Sequence, residues 1–256
     1  MYSRDGSLHF STLKYIKQSP LHYANAVART DFDSPAMRIG RAVHGLVLQE
    51  IEPVVFDGDR RGKAWTEFKE GRDVADVLNA SEWDKVQRMR DAVFADPFAK
   101  AVLDTCTVRE ESLEWIRSGH PCKGRLDARS PSRSAICDLK TAKTVQPWQF
   151  MRDGVRQAYH AQLPWYDNAQ GKSIGNWSDQ FVIAVESVAP FPVQVFQLSP
   201  LLILQGWDET CLWMEKFDEC IQRGNFRAGY KAGIVEWDAE LVFGEDEDEE
   251  DEECQD

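Results

Sequence analysis

The feature that most constrains this chain is the segment Gly124–Thr141, which carries two aspartates and a lysine on two consecutive extended runs. Asp127 lies on the first run, and Asp138 and Lys140 lie on the second. Turn-forming residues at 130–133 allow the runs to pair as antiparallel strands, so that the three charges converge. Side chains alternate along a strand, which places Asp138 and Lys140 on one face. Acids crowded in this way are destabilising unless a cation lies between them, and the segment therefore predicts a metal site.

The charge of the chain is concentrated at one end. The 256 residues are 43% hydrophobic, which is enough for a substantial core, and the formal net charge is −13. Ten of the 43 acidic residues lie in Glu245–Asp256, which leaves 33 acidic against 30 basic residues elsewhere. We therefore predict one nearly neutral domain over 1–243 and an acidic tail over 244–256 that self-repulsion keeps disordered.

Composition excludes several classes of protein. No run of eighteen apolar residues occurs, and the polar start MYSRDGSLHF lacks the apolar core of a secretion signal, so we expect a cytoplasmic protein without a membrane span. The six cysteines form no CxxC pair, which argues against structural zinc, an iron–sulfur cluster and a secreted disulfide scaffold.

The hydrophobic pattern predicts a mixed α/β fold with a sheet of about five strands. The predicted helices are 8–28, 34–49, 64–79, 81–103, 147–169 and 200–223, and the predicted strands are 108–116, 123–128, 135–141, 179–187 and 190–199. Pro97 is expected to interrupt the fourth helix. Pro164 is expected to cost about 3 kcal/mol unless the fifth helix kinks or ends there.

These residue types suit the hydrolysis of a phosphodiester by a metal ion. Such a site needs carboxylate oxygens for a hard cation, a positioned water and a positive group. Asp127 and Asp138 can bridge one or two magnesium ions, and the carbonyl of Leu139 can add a ligand. Lys140 can orient or deprotonate the attacking water.

The spacing D-x10-D-x-K resembles the signature of PD-(D/E)xK nucleases, and its surroundings are similar to the C-terminal nuclease domain of exonuclease VIII (RecE) from phage and prophage recombination systems. The short motif occurs by chance in many proteins, so the resemblance depends on an ordered set of segments over roughly residues 8–225. They are an SPxxY-like start at 19–23, GRAVHGLVLQE around His44, RRGKAWTEFK at 60–69, GRLD, DLKT, QLPWY at 162–166, and FVIAVES followed by PFPVQVFQLSP. The resemblance implies a restriction-endonuclease-like α/β core with flanking helices.

The resemblance also implies a set of site residues. It places the metal on His44, Asp127, Asp138 and the Leu139 carbonyl, and it makes Lys140 the catalytic lysine. From the residues alone, a histidine on an apolar helix is by default a hydrogen-bonded core residue, and the metal-ligand role is the one that the resemblance favours.

Three further assignments leave alternatives open. The resemblance assigns Glu111 as the acid of the preceding strand, but Glu110 and Glu114 compete with it because a one-residue slip reverses the faces of a strand. Gln162 and Tyr166 match a Q-xxx-Y helix motif and share one helical face, although they can equally be packing residues.

The basic loop with Arg60, Arg61 and Lys63 can grip phosphates or simply solubilise the surface. For a nearly neutral domain that holds a duplex end, the phosphate role is favoured.

The resemblance implies magnesium-dependent, processive 5′ to 3′ digestion of linear double-stranded DNA that leaves a 3′ single strand, with manganese as a possible substitute. It also implies a ring-shaped homo-oligomer and a RecT-like single-strand annealing partner in a bacterial cell or its phage. The alternatives are a PD-(D/E)xK nuclease with a structure-specific or single-stranded substrate, and a non-catalytic protein that uses the nuclease fold for docking. The acidic tail is interpreted as a solubility or partner-binding segment in preference to a DNA mimic.

Overall fold

The computed structural model describes residues 2–3, 5–29, 34–71 and 74–230. The predicted acidic tail and its boundary with the domain lie outside these residues. In chain order the elements are α1 (Phe10–Leu13), a 3-10 turn (Lys14–Lys17), α2 (Pro20–Ala28), α3 (Pro35–Leu48), α4 (Lys63–Phe68), α5 (Ala80–Ala95), α6 (Pro97–Thr105), β1 (Val108–Arg117), β2 (His120–Arg129), β3 (Ala135–Ala142), α7 (Pro147–Arg156), α8 (Tyr159–Ala169), β4 (Asp179–Glu186), β5 (Val193–Gln197) and α9 (Pro200–Arg223).

The strands form one mixed sheet in the order β1-β2-β3-β4-β5. Neighbouring strands are antiparallel except β3 and β4, which are parallel and are joined through α7 and α8. A parallel pair needs such a crossover because its second strand must start at the same edge of the sheet. The predicted mixed α/β class with five strands is confirmed. None of the helices in the described part of the chain has the length and apolar character that crossing a membrane requires.

The sheet separates two hydrophobic cores. Ile136 and Val182 face a core closed by α1, α2, α8 and α9, whereas Leu139 and Ile183 face a second core closed by α3, α5 and α6. Successive residues of β3 and β4 therefore enter opposite cores. Burial on both faces explains the nearly continuous apolar run that predicted β4.

Local signals set several helix boundaries where the sequence placed them. The side chain of Ser34 accepts a hydrogen bond from the N–H of Met37 and caps α3, whose first residue is Pro35. Helix α9 covers Pro200–Arg223 as predicted, and Gly224 ends it in the left-handed region at φ 59°.

The predicted helix 64–79 is wrong over its second half. Helix α4 ends at Phe68, and Gly71 at φ 69° turns the chain away. Leu78 is fully buried in an extended segment, and its own N–H donates to the carbonyl of Val54. Its burial against the second core, rather than its helical spacing, determines its conformation.

The predicted helix 147–169 divides at Ala158 and not at Pro164. Ala158 is buried in the left-handed region at φ 64°, so α7 and α8 meet there at a sharp corner. Pro164 lies inside α8, where it leaves the carbonyl of His160 without its helical partner. That carbonyl lies against Gly206 of α9, where a Cβ would come within 2.1 Å of the oxygen. Close packing of the two helices thus accommodates the proline.

Candidate active site

The candidate site lies where β2 and β3 separate. The two strands pair only at Ala128 with Cys137 and at Arg129 with Ile136. Beyond this pair, the carboxylate of Asp127 accepts a hydrogen bond of 2.8 Å from the N–H of Leu139. A side chain therefore replaces the strand-to-strand hydrogen bond, and the opening between the strands is fixed by the protein itself.

Three potential metal ligands converge on this opening from three different elements. His44 on α3, Glu110 on β1 and Asp127 on β2 place one ligand atom each within 4.8 Å of one another. The Nδ1 atom of His44 lies 3.5 Å from Oδ2 of Asp127 and 4.0 Å from Oε1 of Glu110. Glu110 and Asp127 lie on adjacent strands, between the pairs Arg109–Ala128 and Glu111–Leu126. Like charges so placed destabilise a sheet unless a cation compensates them.

Glu110 combines backbone strain with a buried charge. Its φ of 49° is a left-handed conformation inside a strand, which costs about 1–3 kcal/mol for a residue with a Cβ. Burial, followed by the charge of Asp127, raises the pKa of its carboxyl group. Arg125 forms an ion pair of 2.6 Å with Oε2 of this carboxylate. The other oxygen, Oε1, faces the imidazole of His44 and is therefore the one that is placed to meet a metal ion.

The assignment of Glu111 to the metal is corrected by this geometry. Its carboxylate forms two hydrogen bonds with Arg129, of 2.5 and 2.6 Å, and these bonds hold its pKa below the usual value. Glu114 forms an exposed ion pair of 2.8 Å with Lys123. Of the three glutamates that competed for the position, Glu110 is the one that faces His44 and Asp127.

The length of one turn could have distinguished these glutamates. The turn between β1 and β2 consists of Ser118 and Gly119 alone, because Arg117 already pairs with His120. A turn of two residues sets the register of the whole hairpin and places residue 110 opposite residue 127. The predicted strands, 108–116 and 123–128, were separated by a longer gap and left this register open.

A second group of charges lies on the neighbouring strand β3. Nζ of Lys140 lies 2.5 Å from Oδ2 of Asp138, and the Nε2 of Gln162 donates to Oδ1 of Asp138 at 2.8 Å. Lys140 also donates to Oε1 of Gln162 at 3.3 Å. The structure thus brings together Asp138, Lys140 and Gln162, as the sequence predicts for one face of a strand and one face of a helix.

Burial governs the protonation of this group. Asp138 is only 3% exposed, and burial raises its pKa to about 6 although the ammonium of Lys140 opposes the shift. Burial alone would lower the pKa of Lys140, but the carboxylates of Asp138 and Asp127 outweigh it and the pKa is raised. Lys140 is therefore a cation at neutral pH.

Helix α8 forms one wall of the site. Gln162 contacts both charged residues of β3, whereas the ring of Tyr166 packs on β2 so closely that a Cβ at Gly124 would lie 2.4 Å from it. The glycine of the GRLD motif is required for this contact. Tyr159, which the sequence analysis did not single out, places its ring 4.9 Å from Nζ of Lys140. Its position three residues before Gln162 on the same helix is the signal that could have identified it.

Leu139 is held through its N–H by Asp127, and its side chain is fully buried in the second core. The predicted role of its carbonyl as a metal ligand stays a prediction.

The basic loop is only partly free to meet a substrate. Arg60 donates to the carbonyl of Val77 at 2.7 Å and lies 3.5 Å from Glu82, so it fastens the loop to the protein. Arg61 and Lys63 are exposed, and 90% of the Lys63 side chain is accessible. A phosphate contact therefore stays a prediction for Arg61 and Lys63, and Arg60 has a structural role of its own.

The donor set fits a divalent cation. Two carboxylates and an imidazole converge, a third carboxylate from Asp138 lies on the next strand, and oxygen with nitrogen donors suits magnesium or manganese. Lys140 and Arg125 neutralise only part of the negative charge of Glu110, Asp127 and Asp138. The remaining charge is what a bound cation would compensate.

Comparison with known proteins agrees with this fold. A family model described as a PDDEXK-like domain of unknown function (DUF3799) matches residues 9–231. A structure from Eubacterium rectale, described as a candidate exonuclease, is 10% identical with a TM-score of 0.62 over 94% of each chain. A phage-related exonuclease from Haemophilus somnus 129PT is 14% identical with a TM-score of 0.35 over 86% of this chain and 96% of its own. No curated protein matches the chain.

Proposed function

Because this chain belongs to the DUF3799 family of PDDEXK-like domains, we propose that it is a metal-dependent exonuclease that digests linear double-stranded DNA from its 5′ ends. The nuclease-like fold is shared with a protein from Eubacterium rectale that is described as a candidate exonuclease. The observation that carries the proposal is the convergence of His44, Glu110 and Asp127 beside Asp138 and Lys140. These groups supply an excess of negative charge, a cation and a helical wall within one opening of the sheet.

In the proposed mechanism His44, Glu110, Asp127 and Asp138 would hold magnesium or manganese. Such an ion, when bound, would supply Lewis-acid polarisation of a phosphate and a lowered pKa of water. Asp127 has a second task, because its hydrogen bond to Leu139 fixes the distance between the two strands that carry the ligands.

Lys140 orients the attacking water and offsets the charge that develops on the phosphate. Its raised pKa makes it a cation and not a base at neutral pH. Gln162 holds both Lys140 and Asp138, so the ammonium and the carboxylate keep a fixed relative position as the substrate binds. Preorganised charges of this kind stabilise a transition state without further rearrangement.

The finer parts of the proposal are processive 5′ to 3′ digestion, release of mononucleotides and a 3′ single strand that a RecT-like annealing protein receives. A ring-shaped homo-oligomer around the duplex belongs to the same proposal. These parts are supported by the ordered segments that resemble exonuclease VIII, from the SPxxY-like start to PFPVQVFQLSP.

The decisive experiment is digestion of a linear duplex that carries a label at the 5′ end of one strand. We expect labelled mononucleotide in magnesium or manganese, none in chelator, and none with Asp138→Asn. Nicked circular and single-stranded DNA are digested side by side with the duplex. Cleavage of the circle would identify an endonuclease, preference for the single strand would identify a different exonuclease, and absence of metal binding by calorimetry would favour a docking protein.

A further inference from the structure

A cavity of about 580 Å³ lies beside the candidate active site and is not used by the proposed chemistry. It is enclosed by α7, the start of α8, β4, β5 and α9. Most of its wall is apolar, and four of the side chains are aromatic: Trp148, Phe150, Tyr159 and Phe196. Its volume is in the range of sites that bind small planar molecules.

The cavity continues the sheet face that carries the catalytic residues. Asp138 on β3 pairs with Val182 on β4, and Val182 pairs with Phe196 on β5. Neighbouring strands are about 4.8 Å apart, so Phe196 follows Asp138 at about 10 Å along the same face. The ring of Tyr159 lines the cavity and also lies 4.9 Å from Nζ of Lys140. The cavity therefore begins directly beside Asp138 and Lys140 of the candidate active site.

The walls of the cavity present flat rings at its floor and at its mouth. Phe150 and Phe196 are stacked, with ring centres 4.6 Å apart and an angle of 15° between the planes. At the mouth, Trp148 is 63% exposed and the guanidinium of Arg152 lies 4.5 Å from the centre of its ring. Aromatic rings combined with a guanidinium form the kind of surface on which unpaired bases stack.

The charges around the cavity favour a polyanion. Arg152 lines the mouth, and Lys17 donates at 2.8 Å to the carbonyl of Arg156 at the end of α7. Nearby acids are paired, since Asp153 lies 3.1 Å from Arg156 and Glu209 lies 3.0 Å from His160, a lining residue. Among the described residues, the lining of the cavity thus carries the guanidinium of Arg152 and no carboxylate.

We propose that this cavity binds unpaired nucleobases of the strand that is cut, next to the scissile phosphate. The inference rests on the proposed function, because it names the part of the DNA that the site receives. A stable protein partner needs about 1,600 Å² of buried surface, whereas this cavity encloses only a few planar rings. Stacking is tolerant of sequence, so the cavity selects unpaired ends and not particular bases.

The test measures binding of the full chain to a labelled duplex that ends in two unpaired 5′ thymidines, in chelator so that no cleavage occurs. A second duplex carries abasic sites at the two unpaired positions. We expect Trp148→Ala to weaken binding of the thymidine duplex by about tenfold and to leave binding of the abasic duplex unchanged. Trp148→Phe should retain most of the affinity. Phe98→Ala, which removes a ring from α6 that is 73% exposed against 63% for Trp148, should have no effect.

Equal affinity of Trp148→Ala and the unaltered protein for the thymidine duplex would overturn the inference. An equal loss on the abasic duplex would also overturn it, because it would indicate a contact with the backbone. If Trp148→Ala dissociated an oligomer, as detected by light scattering, the cavity would instead be identified as an interface between copies of this chain. Absence of metal-dependent cleavage with base-dependent binding intact would contradict the proposed function alone.

Discussion

Two buried aspartates in this molecule have opposite surroundings. Asp167 on α8 is fully buried and accepts hydrogen bonds from the N–H and the hydroxyl of Ser178, each at 2.8 Å, and from Gln180 at 3.4 Å. Asp138 is also buried, but it lies beside Lys140 and near a second acid, Asp127. Burial raises the pKa of both carboxyl groups.

The comparison shows that burial alone does not identify a functional carboxylate. Asp167 is satisfied by neutral donors of the segment that leads into β4, so it fastens α8 to the sheet and needs nothing more. Asp127 lies near the carboxylates of both Glu110 and Asp138, and these three acids outnumber the two cations Lys140 and Arg125 that pair with them. The excess of negative charge, and not the depth of burial, distinguishes the candidate active site from the surroundings of Asp167.

The largest expected effect separates the two aspartates directly. Asp138→Asn should lower digestion of linear duplex by at least about a hundredfold, because it removes a ligand and the partner of Lys140, with little change in the far-UV spectrum. Asp167→Asn should keep the activity and lose about 1–3 kcal/mol of stability, since an amide presents donors to Ser178. The digestion rate and the free energy of unfolding in urea are measured for both variants. Digestion by Asp138→Asn at the rate of the unaltered protein would contradict the assignment of Asp138 to the active site.

The second prediction concerns the binding of metal. Magnesium at 100 times its dissociation constant should stabilise the protein by about 2.7 kcal/mol, seen as a rise in the melting temperature. Glu110→Gln and His44→Ala should abolish this rise. Glu111→Gln is the matched control, because Glu111 is bound to Arg129 and should leave the metal response unchanged. Loss of the response in Glu111→Gln with retention in Glu110→Gln would reverse the assignment of the strand acid.

The third prediction compares the two glutamines that donate hydrogen bonds to the two aspartates, Gln162 to Asp138 and Gln180 to Asp167. Gln162→Ala should lower the digestion rate by about tenfold, because Lys140 and Asp138 lose their common anchor, with a small change in melting temperature. Gln180→Ala should lower the melting temperature and leave the rate unchanged. If Gln162→Ala and Gln180→Ala changed the digestion rate and the melting temperature in the same way, the distinction between Asp138 and Asp167 would be wrong.

The last prediction concerns the pH dependence of stability, which leaves the digestion rate at neutral pH unchanged. Burial, and then the charge of Lys140, lowers the pKa of Lys14 from 10.5 to about 8. Between pH 8 and 10.5 the unfolded chain therefore binds more protons at Lys14, and stability should rise with pH in this window. Lys14→Met should remove that part of the rise in the free energy of unfolding, as measured by urea denaturation at several pH values. Lys143→Met, at an exposed position, should leave the rise unchanged. An unchanged slope in Lys14→Met would show that the ammonium is solvated.

Much of the fold could be predicted because its signals are local. Ser34 with Pro35, and Gly224 after α9, mark helix ends through hydrogen bonds and dihedral angles of the adjacent residues. The predicted helices 64–79 and 147–169 were partly wrong because Leu78 and Ala158 are fixed by burial in cores to which distant segments contribute. Periodicity carries no information about those segments.

The sequence by itself determined that Asp127, Asp138 and Lys140 come from two adjacent strands, because a turn between two extended runs allows one simple pairing. Only the tertiary structure decided that Glu110, and not Glu111, faces Asp127, since register depends on the length of the turn and on pairing along the whole hairpin. The tertiary structure also decided that negative charge is in excess around Asp138 and not around Asp167. Charge balance depends on the side chains that helices α3 and α8 bring to the sheet, and no short stretch of sequence contains them all.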